Sequence, residues 1–94
     1  MRRRLPNRRN SLTVEFWFEG FTYRATASRF PDGRIAELFL DVGKAGTTVQ
    51  EHAETSAMLV SMLLQNGVHC DDIRSLIKVG PVAYALAEFA GIRP

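Results

Sequence analysis

The chain has 94 residues, of which 46% are hydrophobic and 23% are charged. This is the composition of an ordinary globular domain, and it excludes a largely disordered chain as well as a membrane protein. Five of the twelve basic residues lie within the first nine positions, so residues 10–94 carry seven basic and ten acidic side chains, a net charge of −3. The positive net charge therefore belongs to the amino-terminal segment.

The amino-terminal segment is rich in arginine and poor in apolar side chains. It predicts a basic disordered tail over residues 1–10, followed by a single folded domain over residues 11–94. A solvated tail without a ligand is favoured over one that contacts nucleic acid or an acidic partner. No apolar stretch follows the arginines, so no secretory signal is predicted and a cytoplasmic protein is expected. The candidates for nucleic-acid contact are Arg2, Arg3, Arg4, Arg8 and Arg9.

Two alternating segments follow the tail. Polar and apolar side chains alternate between Ser11 and Glu19, and the same period of two recurs from Phe21 to Phe30. This period is typical of half-buried strands. Because only Glu19 and Gly20 separate the two segments, the sequence predicts a tight hairpin.

A second turn leads into a third strand. Pro31-Asp32-Gly33 combines a proline, which fixes φ, with a glycine that tolerates positive φ, and alternation resumes from Arg34 to Val42. Three consecutive strands joined by short turns predict an antiparallel meander. Surface ion pairing is favoured over binding of an acidic group for the charged residues around this turn, which are Arg29, Asp32 and Arg34.

The apolar period then changes to that of a helix. Thr48 and Glu51 indicate a capping box, and helical spacing continues until Gly67, which predicts a helix over residues 48–66. A short helix with two aspartates in its first turn is predicted next, and Gly80-Pro81 predicts the start of a third. The fold is therefore expected to be α+β, with a three-stranded antiparallel meander followed by three helices packed on one face.

The second half of the long helix is apolar almost all round, from Met58 to Leu64. A small sheet covers only one side of such a helix, so this part should be buried on several sides or face another subunit. The sequence therefore predicts a homodimer, with Met58, Met62 and Leu63 as candidate interface residues.

Several segments together resemble a known family. They are RFPDGRIAELFLDVGKAG, the helix end SMLLQNGV, and the later DDIRSLI and GPVAYAL. From about residue 21 to residue 86 the chain resembles the TSCPD domain, which occurs as a stand-alone small protein and at the carboxyl end of adenosylcobalamin-dependent ribonucleotide reductases. The resemblance implies an association with ribonucleotide reduction.

The chain departs from those reductases at its cysteines. Reductase carboxyl-terminal regions usually add paired cysteines that pass electrons to the active site, whereas Cys70 is the only cysteine here. A disulfide relay needs two thiols within reach of each other, and the reductase catalytic barrel is also absent. The chain is therefore not expected to be an enzyme on its own, although the family would suggest a ribonucleoside-diphosphate reductase.

The glycine-framed loop between the third strand and the long helix is a candidate anion site. Amide groups at a helix start attract anions and a lysine adds a positive charge, so the loop could hold a phosphate or a nucleotide. It does not match the Walker A motif, and a structural role, with glycines serving backbone geometry, is favoured. The candidate residues are Gly43, Lys44, Gly46, Thr47 and Thr48.

Other reactive side chains give no recognisable site. His52, Glu54, His69 and Cys70 do not have the spacing of a zinc site, so neither a metal nor a cofactor is predicted. No pattern activates a serine or cysteine nucleophile, and no catalytic residue is predicted. Trp17 lies on the more polar face of the first strand. The alternation of the strand is equally compatible with an exposed Trp17 that acts as a contact residue and with a Trp17 buried under another element.

Three functional hypotheses follow. The first is a small non-catalytic binding or regulatory module, dimeric and associated with ribonucleotide reduction or nucleotide metabolism. The second is a detached subunit of a ribonucleotide reductase that binds nucleotide at the GKAG loop. The third is a nucleic-acid accessory protein acting through the arginine-rich tail, whose affinity would fall steeply with salt.

Overall fold

Six regular elements follow one another in the computed structural model, which describes residues 11–43 and 47–90. The elements are β1 (Ser11–Phe18), β2 (Phe21–Arg29), β3 (Ile35–Gly43), α1 (Thr47–Gln65), α2 (Cys70–Leu76) and α3 (Pro81–Ala90). The predicted order of elements and the α+β class are confirmed. The predicted tail with its five arginines lies outside the described residues, and so do residues 44–46 and 91–94.

The three strands form an antiparallel sheet in the order β1-β2-β3. Phe18 pairs with Phe21 across the first turn, and the two turn residues Glu19 and Gly20 have φ of 46° and 90°. Two successive residues with positive φ are typical of the tight turns that match the twist of a hairpin. The predicted hairpin is therefore confirmed, and β3 is left as an edge strand beside α1.

The core lies between one face of the sheet and the helices. Alternate side chains of the strands are buried against one side of α1 and of α3, and the largest fully buried ones are Leu38, Leu86 and Phe89. On the opposite face Trp17 is 67% exposed. The sequence was compatible with either exposure or burial of this side chain, and the structure shows exposure. No described helix covers this second face.

The predicted terminator of α1 is confirmed, whereas its predicted capping box is wrong. Gly67 has a φ of 95°, and hydrogen bonds from Gly67 N to Leu64 O (3.2 Å) and from Val68 N to Leu63 O (3.0 Å) close a Schellman motif. The predicted helix terminator is thus confirmed. The capping box is wrong, because Thr48 lies inside the helix rather than in the flanking position.

The turn before β3 is also only partly as expected. The predicted ion pair forms between Arg34 Nε and Asp32 Oδ2 at 3.1 Å. Arg29 instead donates to Gly33 O at 2.7 Å and to Phe89 O at 3.0 Å. It therefore ties the turn to the end of α3, a contact 60 positions away that no local pattern predicts.

None of the helices within the described ranges has both the length and the apolar content needed to cross a membrane.

Candidate functional site

Four large apolar side chains lie exposed on the second half of α1. Met58, Leu59, Met62 and Leu63 are 64%, 56%, 46% and 44% exposed, respectively. Residues four apart are neighbours on a helix surface, so the four form one cluster, called here the α1 strip. The strip contains the three candidate interface residues from the sequence, together with Leu59, which the sequence interpretation did not single out.

Contacts between α1 and β3 determine which side of the helix faces outward. Leu38 N donates to Ser61 Oγ at 2.8 Å, and Ser61 Oγ donates to Leu38 O at 3.0 Å. One turn further on, Gln65 Nε2 donates to Ala36 O at 3.3 Å. These bonds fix the rotation of α1 about its axis, and the α1 strip consequently lies away from the core.

A groove of about 600 Å³ runs between β3 and α1 and is called the α1–β3 groove. Its apolar lining includes Met58 and Met62, which also belong to the α1 strip. Among the described residues that line it, three are acidic and none is basic, and the acidic ones are Glu37, Asp41 and Glu54. The described lining of the groove therefore combines apolar and acidic side chains.

Along the edge of β3 that borders the groove, side chains of the described residues bond some backbone groups and not others. Ser61 bonds both backbone groups of Leu38, so these groups point away from β2. Backbone direction repeats every second residue of a strand, and the backbone groups of Leu40 consequently point to the same edge. Among the described residues, no side-chain hydrogen bond like that of Ser61 reaches Leu40.

The described candidate residues around the GKAG loop lie where a strand gives way to a helix, as the sequence predicts. Gly43 ends β3, and Thr47 and Thr48 begin α1, whereas Lys44 and Gly46 lie outside the described residues. Gly43 does not have positive φ, and a Cβ there would approach only Thr22 O, at 3.9 Å. The geometry at this position does not require glycine. Anion binding by the loop stays a prediction.

Cys70 begins α2 and lines a second cavity of about 300 Å³ together with Arg29, Arg34 and His69. Burial raises the pKa of the Cys70 thiol, and the nearby carboxylate of Asp71 raises it further, while Arg74 and Arg29 act in the opposite direction. The reactive thiolate is therefore disfavoured at neutral pH.

His52 does not join Cys70 and His69 at this cavity. His52 lies on α1 beside a different hollow. Within residues 11–43 and 47–90, no three histidine, cysteine or acidic side chains come close enough together to hold a metal ion.

Two polar residues that organise the site were not singled out from the sequence. Ser61 interrupts the apolar run of α1 and Gln65 follows it, both at buried positions. A polar residue on the core face of a helix is a signal that it has a buried partner. That signal could have identified both residues as bonded, but it could not have named β3 as the partner. Outside the site, the bond from Arg29 to the end of α3 has no comparable signal in the sequence.

Comparison with known proteins agrees with the resemblance seen in the sequence. A sequence model of the TSCPD domain matches residues 4–93. The chain is 34% identical over 71 residues to the vitamin B12-dependent ribonucleotide reductase of Agrobacterium fabrum, covering 76% of this chain and 6% of that protein. It is 35% identical over 68 residues to the enzyme of the same name from Streptantibioticus cattleyicolor, covering 72% of this chain and 11% of that protein.

The chain thus spans only a small part of the curated relatives that it matches. The vitamin B12-dependent ribonucleotide reductase of Streptomyces coelicolor, also 35% identical over 68 residues, is covered over 7% of its length. No solved structure matches the chain. Because the family model extends over nearly all of the sequence, the chain belongs to the TSCPD domain family.

Proposed function

We propose that this chain is a small non-catalytic binding or regulatory module, associated with ribonucleotide reduction, that makes its contacts through the α1 strip. The relatives with the same domain are ribonucleotide reductases in which it forms 6–11% of the length. The observation that carries the proposal is the clustered exposure of four large apolar side chains on the central helix. Contiguous apolar surface of this kind marks contact sites on globular domains.

Self-association is the form of contact that we propose for the chain on its own, and a reductase chain would take the place of the second copy on the same strip. A two-fold dimer places the same surface of both copies in the interface, so the α1 strip of each copy covers that of the other. Methionine and leucine suit such a surface, since burying one of these side chains fully contributes about 1.5–3 kcal/mol, and methionine adapts its shape to a partner. The lone cysteine, which has no partner for an internal disulfide, is in keeping with a cytoplasmic location.

Replacing Met62 with lysine is expected to convert the dimer into a monomer. The charged side chain in the middle of the strip would have to lose its water when the two copies associate, which is unfavourable. Light scattering of the purified chain across a range of concentrations measures this. Ala87→Lys is the control, because it adds the same charge at an exposed position of α3, and it should remain dimeric. A wild-type chain that scatters as a monomer at every concentration contradicts the dimer.

The isolated chain is expected to show no ribonucleotide reductase turnover. It holds a single cysteine, so it offers no pair of thiols for a redox relay. Burial also raises the pKa of that thiol, which disfavours the reactive thiolate. The assay compares wild type with Cys70→Ser in the presence of ribonucleotide, cobalamin cofactor and reductant, after rigorous removal of contaminating enzyme. Equal background values agree with the proposal. Product formed by the wild type and lost in Cys70→Ser contradicts a non-catalytic role.

The other two hypotheses depend on segments outside the described residues. Nucleotide binding at the GKAG loop stays a prediction that calorimetric titration of wild type and Lys44→Ala with ATP and dATP tests. Nucleic-acid binding by the arginine-rich tail likewise stays a prediction, which a chain beginning at Asn10 tests. No contact in the described part of the chain favours either function over the binding module.

A further inference from the structure

A third hollow, of about 220 Å³, lies beside the tip of the β1–β2 hairpin, against the first half of α1 and the start of α3. We call it the hairpin hollow. Its residues on α1 are Val49, His52, Ala53 and Ser56, whereas the α1 strip begins at Met58. A ligand in this hollow can therefore be bound without occupying the strip.

The described lining of the hairpin hollow combines an apolar wall with a few polar groups. It has one carboxylate and neither lysine nor arginine. This composition is typical of small-molecule sites, and the volume lies below the roughly 300–1,000 Å³ of pockets for drug-sized ligands. The hollow therefore suits a single small ring or a short chain. The apolar residues are Phe18, Leu40, Val49, Ala53, Pro81 and Val82, and the polar ones are Glu19, Tyr23, His52 and Ser56.

Tyr23 directs its hydroxyl group into this hollow. Its ring is stacked on that of Phe16 at 5.3 Å, and Phe16 is stacked on Tyr84 at 4.8 Å. The Tyr23 side chain is thereby held in place, and it is only 4% exposed. In the described ranges every fully buried side-chain oxygen or nitrogen has a hydrogen-bond partner. Because the Tyr23 hydroxyl makes no hydrogen bond with the described residues, it reaches open space, which here is the hairpin hollow.

The carboxylate of Glu19 lies near this hydroxyl. Burial raises the pKa of Tyr23, and the negative charge of Glu19 raises it further, so the hydroxyl stays protonated at neutral pH. Within residues 11–43 and 47–90, Glu19 forms no ion pair. The ring of Phe18 meets that of Tyr23 edge to face at 6.4 Å. A carboxylate attracts a cation by charge, and aromatic rings attract it through their faces. The hollow therefore favours a positively charged occupant.

We propose that the hairpin hollow binds a small organic cation, an ammonium group carried on a short apolar or aromatic body. The ammonium lies beside the Glu19 carboxylate and the Tyr23 hydroxyl, and the body packs against the apolar wall. His52 and Ser56 offer further hydrogen-bond acceptors at the rim, where both side chains are exposed. The inference goes beyond the proposed function and does not depend on it.

The test is a titration of the ¹⁵N-labelled full-length chain with benzylammonium, followed by amide chemical shifts. Wild type should give saturable shifts in the millimolar range that cluster around Gly20 and His52. Benzyl alcohol and benzoate carry the same ring without the positive charge, and both should bind more weakly. High salt should weaken the binding of benzylammonium.

Two variants test the groups that hold the cation. In Glu19→Gln the affinity should fall about fivefold, which corresponds to about 1 kcal/mol. Tyr23→Phe keeps the ring and removes the hydroxyl, so the affinity should fall at least about twofold. Glu88→Gln is the control, because it removes one exposed carboxylate on α3 outside the hollow, and it should bind like wild type. An unchanged amide spectrum away from the hollow confirms that each variant is folded.

Four results would overturn the proposal. The first is the absence of saturable shifts around the hollow when wild type is titrated with benzylammonium in the millimolar range. The second is benzoate or benzyl alcohol binding as tightly as benzylammonium. The third is wild-type affinity in Glu19→Gln or in Tyr23→Phe. The fourth is an equal loss in Glu19→Gln and Glu88→Gln, since this would show a general effect of net charge rather than a site.

Discussion

Replacing Phe89 with alanine is expected to lower the free energy of unfolding by about 3–5 kcal/mol. Phe89 is 1% exposed on α3 and belongs to the core cluster that includes residues of the sheet and of α1. Truncation removes most of its apolar surface and leaves a cavity that helix and sheet can only partly fill. For a domain of this size the loss corresponds to a drop in Tm of at least about 12 °C.

Urea unfolding followed by circular dichroism measures the change. Phe39→Ala is a matched control because Phe39 is 53% exposed on the open face of the sheet, and it should cost less than about 1 kcal/mol. Equal losses for the two variants would contradict the position of α3 over the core.

Replacing Ser61 with alanine is expected to lower the free energy of unfolding by about 2–4 kcal/mol, since it leaves the N–H and the C=O of Leu38 without their partner. Both bonds are short, at 2.8 Å and 3.0 Å, and the serine is buried. The same change should loosen α1 against β3 and so widen the α1–β3 groove. Amide hydrogen exchange at Leu38 should accelerate more than at the centre of β2.

Ser56→Ala is the control for this second change, because Ser56 lies on the same helix but is exposed. It should alter stability by less than about 0.5 kcal/mol. A Ser61→Ala variant as stable as Ser56→Ala would contradict the bonding of α1 to the edge of β3.

Local chemistry explains why so much of the fold could be predicted. The turn at Glu19-Gly20, the terminator Gly67 and the helix start at Pro81 each depend on backbone preferences of a few neighbouring residues. Leu12 shows the limit of this reasoning. It shares the apolar side of β1 with the buried Phe16, yet it is 44% exposed, because alternation predicts a face of a strand and not how far the helices extend across it.

The candidate site was less predictable because it combines distant residues. The apolar run from Met58 to Leu64 indicated an uncovered flank, and the exposure of Met58, Met62 and Leu63 agrees with that expectation. The α1–β3 groove joins α1 to residues of β3 and follows from the rotation that Ser61 and Gln65 impose on the helix. No periodicity within one element contains this information.

The direct test of the central claim is binding between this chain and a vitamin B12-dependent ribonucleotide reductase from its own organism. Sedimentation velocity of the mixture should show a complex with wild type and with Ala87→Lys. In Leu59→Lys/Leu63→Lys the affinity should fall at least about tenfold, which corresponds to about 1.4 kcal/mol. Absence of a complex with wild type, or equal affinity for wild type and the double lysine variant, would contradict a reductase-associated module that binds through the α1 strip.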